Sequence, residues 1–211
     1  NTEDNRYGRF VVEPITRGYG ITIGNSMRRI LLSSIQGAAV TSVKIDGVLH
    51  EFSTVPGVRD DVSNIVLHLK ELRLKMYSDE PKTLRIEVNG EKEVTAADIV
   101  HDADVEILNP ELHIATVDET GSLKLELNVE HGLGYVPAEK KKVDHSIGTI
   151  LVDSIFSPIR RVNYKVEDIR VGNSTDYDKL TLEVWTDKTI SARDAVSLGA
   201  KIMHDLLDQF V

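Results

Sequence analysis

The stretch from Ala195 to Val211 constrains the fold of this chain most strongly. Stepped at about 100° per residue, its apolar side chains sweep roughly 220° of a helical wheel, from Leu198 and Ile202 through Leu206, Phe210 and Met203 to Leu207 and Val211. A helix resting on a single core needs a stripe of only about 100° or somewhat more. This one must therefore be covered on two sides, by its own fold or by another subunit. A helix at the end of a chain is less often sandwiched inside its own fold, and Ala195, Gly199 and Ala200 permit close helix–helix approach. The expectation is a dimer seam.

Composition narrows the function classes. With 211 residues and 41% hydrophobic content, there is apolar material for one large or two small folded domains. The absence of cysteine removes disulfides, thiolate metal sites and a cysteine nucleophile, and suits a reducing cytoplasm. Acidic residues outnumber basic ones, 34 to 25, for a net charge of −9, the wrong sign for a phosphate-coating surface. Aromatic residues at 5% offer little for stacking single strands. No apolar run reaches the roughly 18 residues of a membrane span, and the first residues show no signal-peptide pattern.

Periodicity predicts a mostly antiparallel α+β chain. Phe10–Ile15 reads as a strand, with Pro14 at an edge or end. Tyr19–Ile23 reads as a second strand, and Asn25-Ser26 as the cap of a helix running to about Ile35, stopped by Gly37. Asp46-Gly47 predicts a tight hairpin joining Val40–Ile45 to Val48–Phe52, and Asn89-Gly90 another joining Leu84–Val88 to Glu91–Thr95. Between them, Val62, Ile65, Val66, Leu69 and Leu72 share one face of a helix. Leu123, Leu125, Leu127 and Val129 alternate as in a half-buried strand. Residues 131–146 read as a loop, with Lys140-Lys141-Lys142 solvated. Strands at 150–152, 162–166 and 180–185 follow, and then the final helix, with Ser191 and Asp194 spaced as a capping box.

On the first helix, Met27, Ile30, Leu31, Ser34 and Ile35 share the apolar face, while Arg29 and Leu32 fall off it. Two readings stand: a scattered surface leucine, which needs no cause, or a small contact patch with an arginine anchor.

Catalytic patterns are sparse. Gly18-x-Gly20-x-x-x-Gly24 has one residue too many for a dinucleotide-binding turn and reads as a hairpin entering a helix. Asp102-x-Asp104-x-Glu106 puts three carboxylates at strand period, more simply an acidic solvent-facing strand than a Mg²⁺ site. The histidines lack metal-binding spacings, so no metal ligand is assigned.

The runs Arg17-Gly18-Tyr19-Gly20 and Gly24-Asn25-Ser26-Met27-Arg28-Arg29-Ile30-Leu31-Leu32-Ser33-Ser34 carry a resemblance. So do Ile45–Thr54, Val94–Ile99, His101–Ile107, Gly134–Ala138, Asp153–Ile159 and Tyr177–Leu180. Over essentially its whole length the chain closely resembles the N-terminal domains of the bacterial RNA polymerase alpha-subunit family. The resemblance implies a homodimer on which the two large catalytic subunits, beta and beta-prime, assemble. It implies a dimerisation subdomain from residues 1–36 and 159–211, and an inserted, mostly-β subdomain from 37–158 that contacts the large subunits. By motif position Arg29, Leu32, Asn64, Lys70, Val152 and Ile159 correspond to large-subunit contacts. The dimer seam would use Tyr19, Ile30, Leu31 and Ile35 with Ile202, Met203, Leu206, Leu207 and Phe210.

The complex would be a nucleotidyltransferase. This chain would be non-catalytic, cytoplasmic, free of cofactor and of direct contact with nucleic acid or membrane, with Mg²⁺ and Zn²⁺ on partner subunits only. Family members usually continue into a C-terminal DNA-binding domain, whereas this chain stops at Val211, as an excised domain would. Two alternatives remain: a paired assembly subunit of an archaeal or eukaryotic-type polymerase, and a small enzyme using His101, Asp102 and Asp104 at the domain junction.

Overall fold

The computed structural model describes residues 5–141 and 146–211; Lys142 of the basic run, and residues 143–145 of the loop expected at 131–146, lie outside them. In chain order the elements begin with strand β1 (Tyr7–Thr16), helix α1 (Tyr19–Ser33), β2 (Gln36–Ile45), α2 (Val62–Lys70) and β3 (Leu74–Met76). There follow β4 (Lys82–Asn89), β5 (Lys92–Thr95), β6 (Val105–Ile107), β7 (His113–Val117), β8 (Ser122–Leu133) and β9 (Tyr135–Val136). The chain closes with β10 (Thr149–Leu151), β11 (Ser154–Ile155), β12 (Ile159–Val171), β13 (Ser174–Thr186) and α3 (Ala192–Leu207). The fold is α+β. The chain divides into two compact units, a terminal one of Asn1–Gln36 with Ser157–Val211 and an inserted one of Gly37–Phe156. The second division thus falls ahead of the expected 158/159.

In the terminal unit, β12 and β13 form a long antiparallel hairpin, and β1 pairs with β13 to complete the sheet β1-β13-β12. The register shifts between Val12 and Ile15, where Pro14 has no N–H to give. The core combines Met27, Leu31 and Ile35 with Ile159, Val162, Leu182 and Val184 of the hairpin and Ala192 and Ala195 of α3. Helix α3 starts as its sequence specifies: Ser191 Oγ accepts from Asp194 N at 3.0 Å. The Asp194 carboxylate bonds the Ser191 hydroxyl at 2.7 Å instead of closing the reciprocal box.

The start of α1 departs from expectation. Tyr19–Ile23 is not a strand, and Asn25-Ser26 caps nothing; the helix begins at Tyr19, after Gly18 at φ +89°. Its first N–H groups are met by Asp178 of β13, whose Oδ2 accepts from Gly18 N at 2.9 Å and Gly20 N at 3.1 Å. The glycine pattern serves close packing. A Cβ on Gly20 would meet Val166 Cγ1 at 2.8 Å and Asp178 Oδ2 at 2.9 Å, and one on Gly24 would meet Tyr164 Cδ2 at 2.7 Å.

In the inserted unit a four-stranded sheet runs β10-β2-β8-β4, with smaller pairs β3-β6, β5-β7 and β9-β11. The alternating Leu123, Leu125, Leu127 and Val129 are buried in β8, and the apolar face of α2 (Val62, Ile65, Val66, Leu69) joins the same core. Neither predicted hairpin forms. Asp46-Gly47 turns the chain, but residues 48–52 make no strand. Strand β4 pairs with β8, and β5 with β7. The loop expected at 131–146 contains the end of β8 and all of β9.

Lys141 is not a solvated loop residue. Its ammonium turns inward and donates to Thr41 O at 2.9 Å, Ser154 Oγ at 2.6 Å and the carbonyl of Val152. Burial pulls its pKa below the ordinary lysine value, against the opposing charges of Glu130 and Asp153. Among the described residues no helix is long and apolar enough to cross a membrane.

Candidate interaction surfaces

Helix α1 has two distinct faces. Gly20, Gly24, Met27 and Leu31 point into the terminal unit, while Arg29 and Leu32 lie exposed on the other side. The pairing of a leucine with an arginine outside the core face is therefore real in three dimensions. Tyr19 and Ile21 are also exposed, in the first turn of the helix.

Helix α3 packs inward through Ala192, Ala195 and Gly199. Gly199 lets it approach α1, since a Cβ there would meet Leu31 Cδ2 at 3.1 Å and Met27 Cε at 3.4 Å. Ile202 and Met203 are half-buried against the core, and Ile30 of α1 is half-buried. Beyond them the helix loses its cover. Leu206 is 50% exposed, Leu207 56% and Phe210 89%. The wide apolar arc thus splits into a face satisfied within the protomer and a face that is not.

Not every seam residue expected from sequence is free to act. Leu31 is 0% and Ile35 1% exposed, so both belong to the unit's own core and can only support a seam from beneath. The cause is the protomer's own core, in which both pack with the β12–β13 hairpin and the start of α3.

The large-subunit set divides in the same way. Asn64 is exposed on α2, and Lys70, at the end of that helix, is half-buried in an ion pair with Asp153 at 2.8 Å. Asp153 also accepts from Ala138 N at 2.8 Å. That bond, and then the Lys70 ammonium, hold its carboxyl below the usual carboxylate range. Val152 and Ile159 do not reach the surface. They are 0% and 4% exposed, each in the core of its unit. The exposed apolar side chain of that segment is Ile155. Sequence reasoning also missed Leu49 and Phe52, exposed in the turn that was expected to be a strand.

The acidic trio forms no cation site. Only Val105–Ile107 is strand, and Asp102 and Asp104 sit on the turn before it. Lys82 Nζ bridges them, at 3.1 Å and 2.7 Å, and Glu106 accepts from Tyr77 OH at 2.6 Å. The bond to Asp104, then that to Asp102, raises the Lys82 pKa, and the same lysine holds the Asp102 carboxyl low. His101 hydrogen-bonds the Asp102 carbonyl at 2.9 Å. The carboxylates of the rival enzyme reading are thus committed to a lysine.

Among the described residues, two clusters bring histidines and carboxylates together: Asp60, His68 and His113, half-buried, and His204, Asp205 and Asp208, exposed at the end of α3. The members of the first lie far apart in the chain, so no spacing rule finds them.

Comparison with known proteins gives one consistent result. Residues 43–157 match the family described as the RNA polymerase Rpb3/RpoA insert domain. A DNA-directed RNA polymerase subunit alpha from Symbiobacterium thermophilum is 66% identical over 210 residues, which cover 99% of this chain and 67% of that relative. Subunits of the same name from Desulforamulus reducens and Bacillus velezensis are 64% and 58% identical over 211 residues, 100% of this chain and 67% of each relative.

Proposed function

The chain belongs to the bacterial DNA-directed RNA polymerase alpha-subunit family, and on that premise we propose that it dimerises and forms the platform on which beta and beta-prime assemble. The complex such subunits belong to is a nucleotidyltransferase. In this reading the chemistry, the catalytic metal and the nucleotide lie on the large subunits, and this chain contributes structure in the cytoplasm without touching nucleic acid itself.

The observation that carries the reading is the two-sided terminal unit. One surface, the end of α3, leaves Leu206, Leu207 and Phe210 uncovered, which is the chemistry of a permanent subunit seam. Another, on α1, offers Leu32 beside Arg29, an apolar centre with a bidentate-capable cation. Asn64 and the Lys70–Asp153 pair add polar groups on the inserted unit that suit contacts with a large subunit. Where the family resemblance assigned Val152 and Ile159 to such contacts by motif position, the exposed Ile155 is the residue of that segment able to make them.

The test is capture of purified beta subunit by the immobilised chain. Arg29→Ala touches no core residue and should leave fold and dimer intact. Loss of an anchoring arginine weakens binding by about 2 kcal/mol or more, roughly thirtyfold. Unchanged capture would remove Arg29 from the interface.

A further inference from the structure

The half-buried cluster on the inserted unit has the construction of a metal site. Asp60 precedes α2, His68 lies on its last turn, and His113 opens β7. One ligand atom from each lies within 4.8 Å of the others. Asp60 Oδ1 stands 3.7 Å from His113 Nε2, and the two imidazoles meet edge to face with centroids 5.2 Å apart. Ligands bound to zinc at about 2.0–2.1 Å in a tetrahedron are about 3.3 Å apart, so small side-chain rotations close the site.

The atoms that point away from the centre are all occupied. Asp60 Oδ2 accepts from Thr116 N at 2.7 Å. His68 Nδ1 lies 2.9 Å from the Ile114 carbonyl, and because a carbonyl only accepts, the ring proton sits on Nδ1 and Nε2 keeps its lone pair. His113 Nδ1 lies 3.2 Å from Glu93 Oε1, which fixes the same tautomer. Outer hydrogen bonds of this kind, to a carbonyl and to a carboxylate, orient histidine ligands and raise their basicity at metal centres. A protonated His113 between Asp60 and Glu93 would explain that one residue, but not why His68 turns to the same point.

We propose that Asp60, His68 and His113 bind a zinc-class divalent cation, with a fourth coordination position left for water or an external ligand. Two imidazole nitrogens favour zinc and its transition-metal neighbours over Mg²⁺ or Ca²⁺, which take oxygen ligands. The ion would tie α2 and the loop before it to β7. This assigns a metal to residues for which the sequence alone gave no metal role.

The experiment titrates the 211-residue chain, freed of metal by chelator, with Zn²⁺ by calorimetry and with Co²⁺ by visible absorption. Wild type should bind saturably at about pH 7.5, and more weakly in acid, where protons compete with the metal for its ligands. His68→Ala and His113→Ala should each abolish binding, and Glu93→Gln, which leaves His113 Nδ1 an acceptor but removes the outer carboxylate's charge, should weaken it about 10-fold. His204→Ala, at the exposed cluster, should bind like wild type. Circular dichroism of each variant separates lost binding from lost fold, and Glu93→Gln, at an exposed side chain, reports where an alanine variant unfolds. No saturable binding by wild type overturns the proposal. So does binding that survives in folded His68→Ala and His113→Ala but disappears in His204→Ala.

Discussion

The first helix owes its start to one carboxylate from the far end of the chain. Gly18 supplies no capping side chain, yet the leading N–H groups of α1 need acceptors. Asp178, 3% exposed, provides them through one oxygen shared between Gly18 and Gly20. Its negative charge also sits at the positive end of the helix. Asp178→Ala would strand those N–H groups, a loss of about 2–4 kcal/mol for paired charge-assisted bonds and a cap. Asp178→Asn keeps an acceptor and should lose about half as much. Urea denaturation measures both; an alanine variant with the wild-type midpoint would show that the cap is dispensable. The same contact explains why the helix start was illegible. Local rules look for a cap within a few residues and found Asn25-Ser26, whereas the real one lies 160 positions away. Lys141 is the parallel case: a lysine in a basic run reads as solvated, and only the fold brings Thr41, Val152 and Ser154 around it.

At the scale of elements, one-sided periodicity was legible and pairing was not. Helix α2 and strand β8 each bury one face against a single core, so their sequence period shows directly. The Asp46-Gly47 and Asn89-Gly90 signals do turn the chain, with Gly47 at φ +76° and Gly90 at φ +84°. A turn fixes where the backbone reverses; which strands then share a ladder is decided by burial across the sheet. Helix α1 shows what backbone approach demands. At Gly24 an added Cβ would press on the Tyr164 ring at 2.7 Å and Leu180 Cδ1 at 2.9 Å. At Gly199 it would meet only the ends of Leu31 and Met27, at 3.1 Å and 3.4 Å. Removing a helical glycine gains up to about 1 kcal/mol, and overpacking costs about 1–3 kcal/mol. Gly24→Ala should therefore lower the melting temperature, while Gly199→Ala should hold or raise it. Equal effects in thermal melts would mean that the two contacts are equally yielding.

For the whole molecule the question is what covers the end of α3. The inserted unit closes a core of its own, with the apolar faces of α2, β4 and β8 inside it. The terminal unit closes one too, yet leaves Leu206, Leu207 and Phe210 in water. The sequence showed the arc but not its division, because a wheel does not distinguish a face buried by α1 from one still unsatisfied. A second copy satisfies it economically. A two-fold interface presents every residue twice, so a single substitution alters two contacts. Fully burying a leucine contributes about 1.5–3 kcal/mol; half of Leu206 is already covered in the protomer, so Leu206→Glu removes about 1.5–3 kcal/mol per dimer before the charge is counted. That alone weakens association by roughly one to two orders of magnitude, and burying the new carboxylate adds to the loss. Light scattering at micromolar concentration should show dimeric wild type and monomeric Leu206→Glu, with the circular dichroism of the fold retained because this side chain lies outside the core. Phe210→Glu, at the still more exposed position, should act in the same direction. A wild-type monomer would end the seam proposal outright. A dimer indifferent to both substitutions would move the seam off α3, and with Leu31 and Ile35 sealed inside the protomer, the exposed Tyr19 and Ile21 at the start of α1 would be the next surface to test.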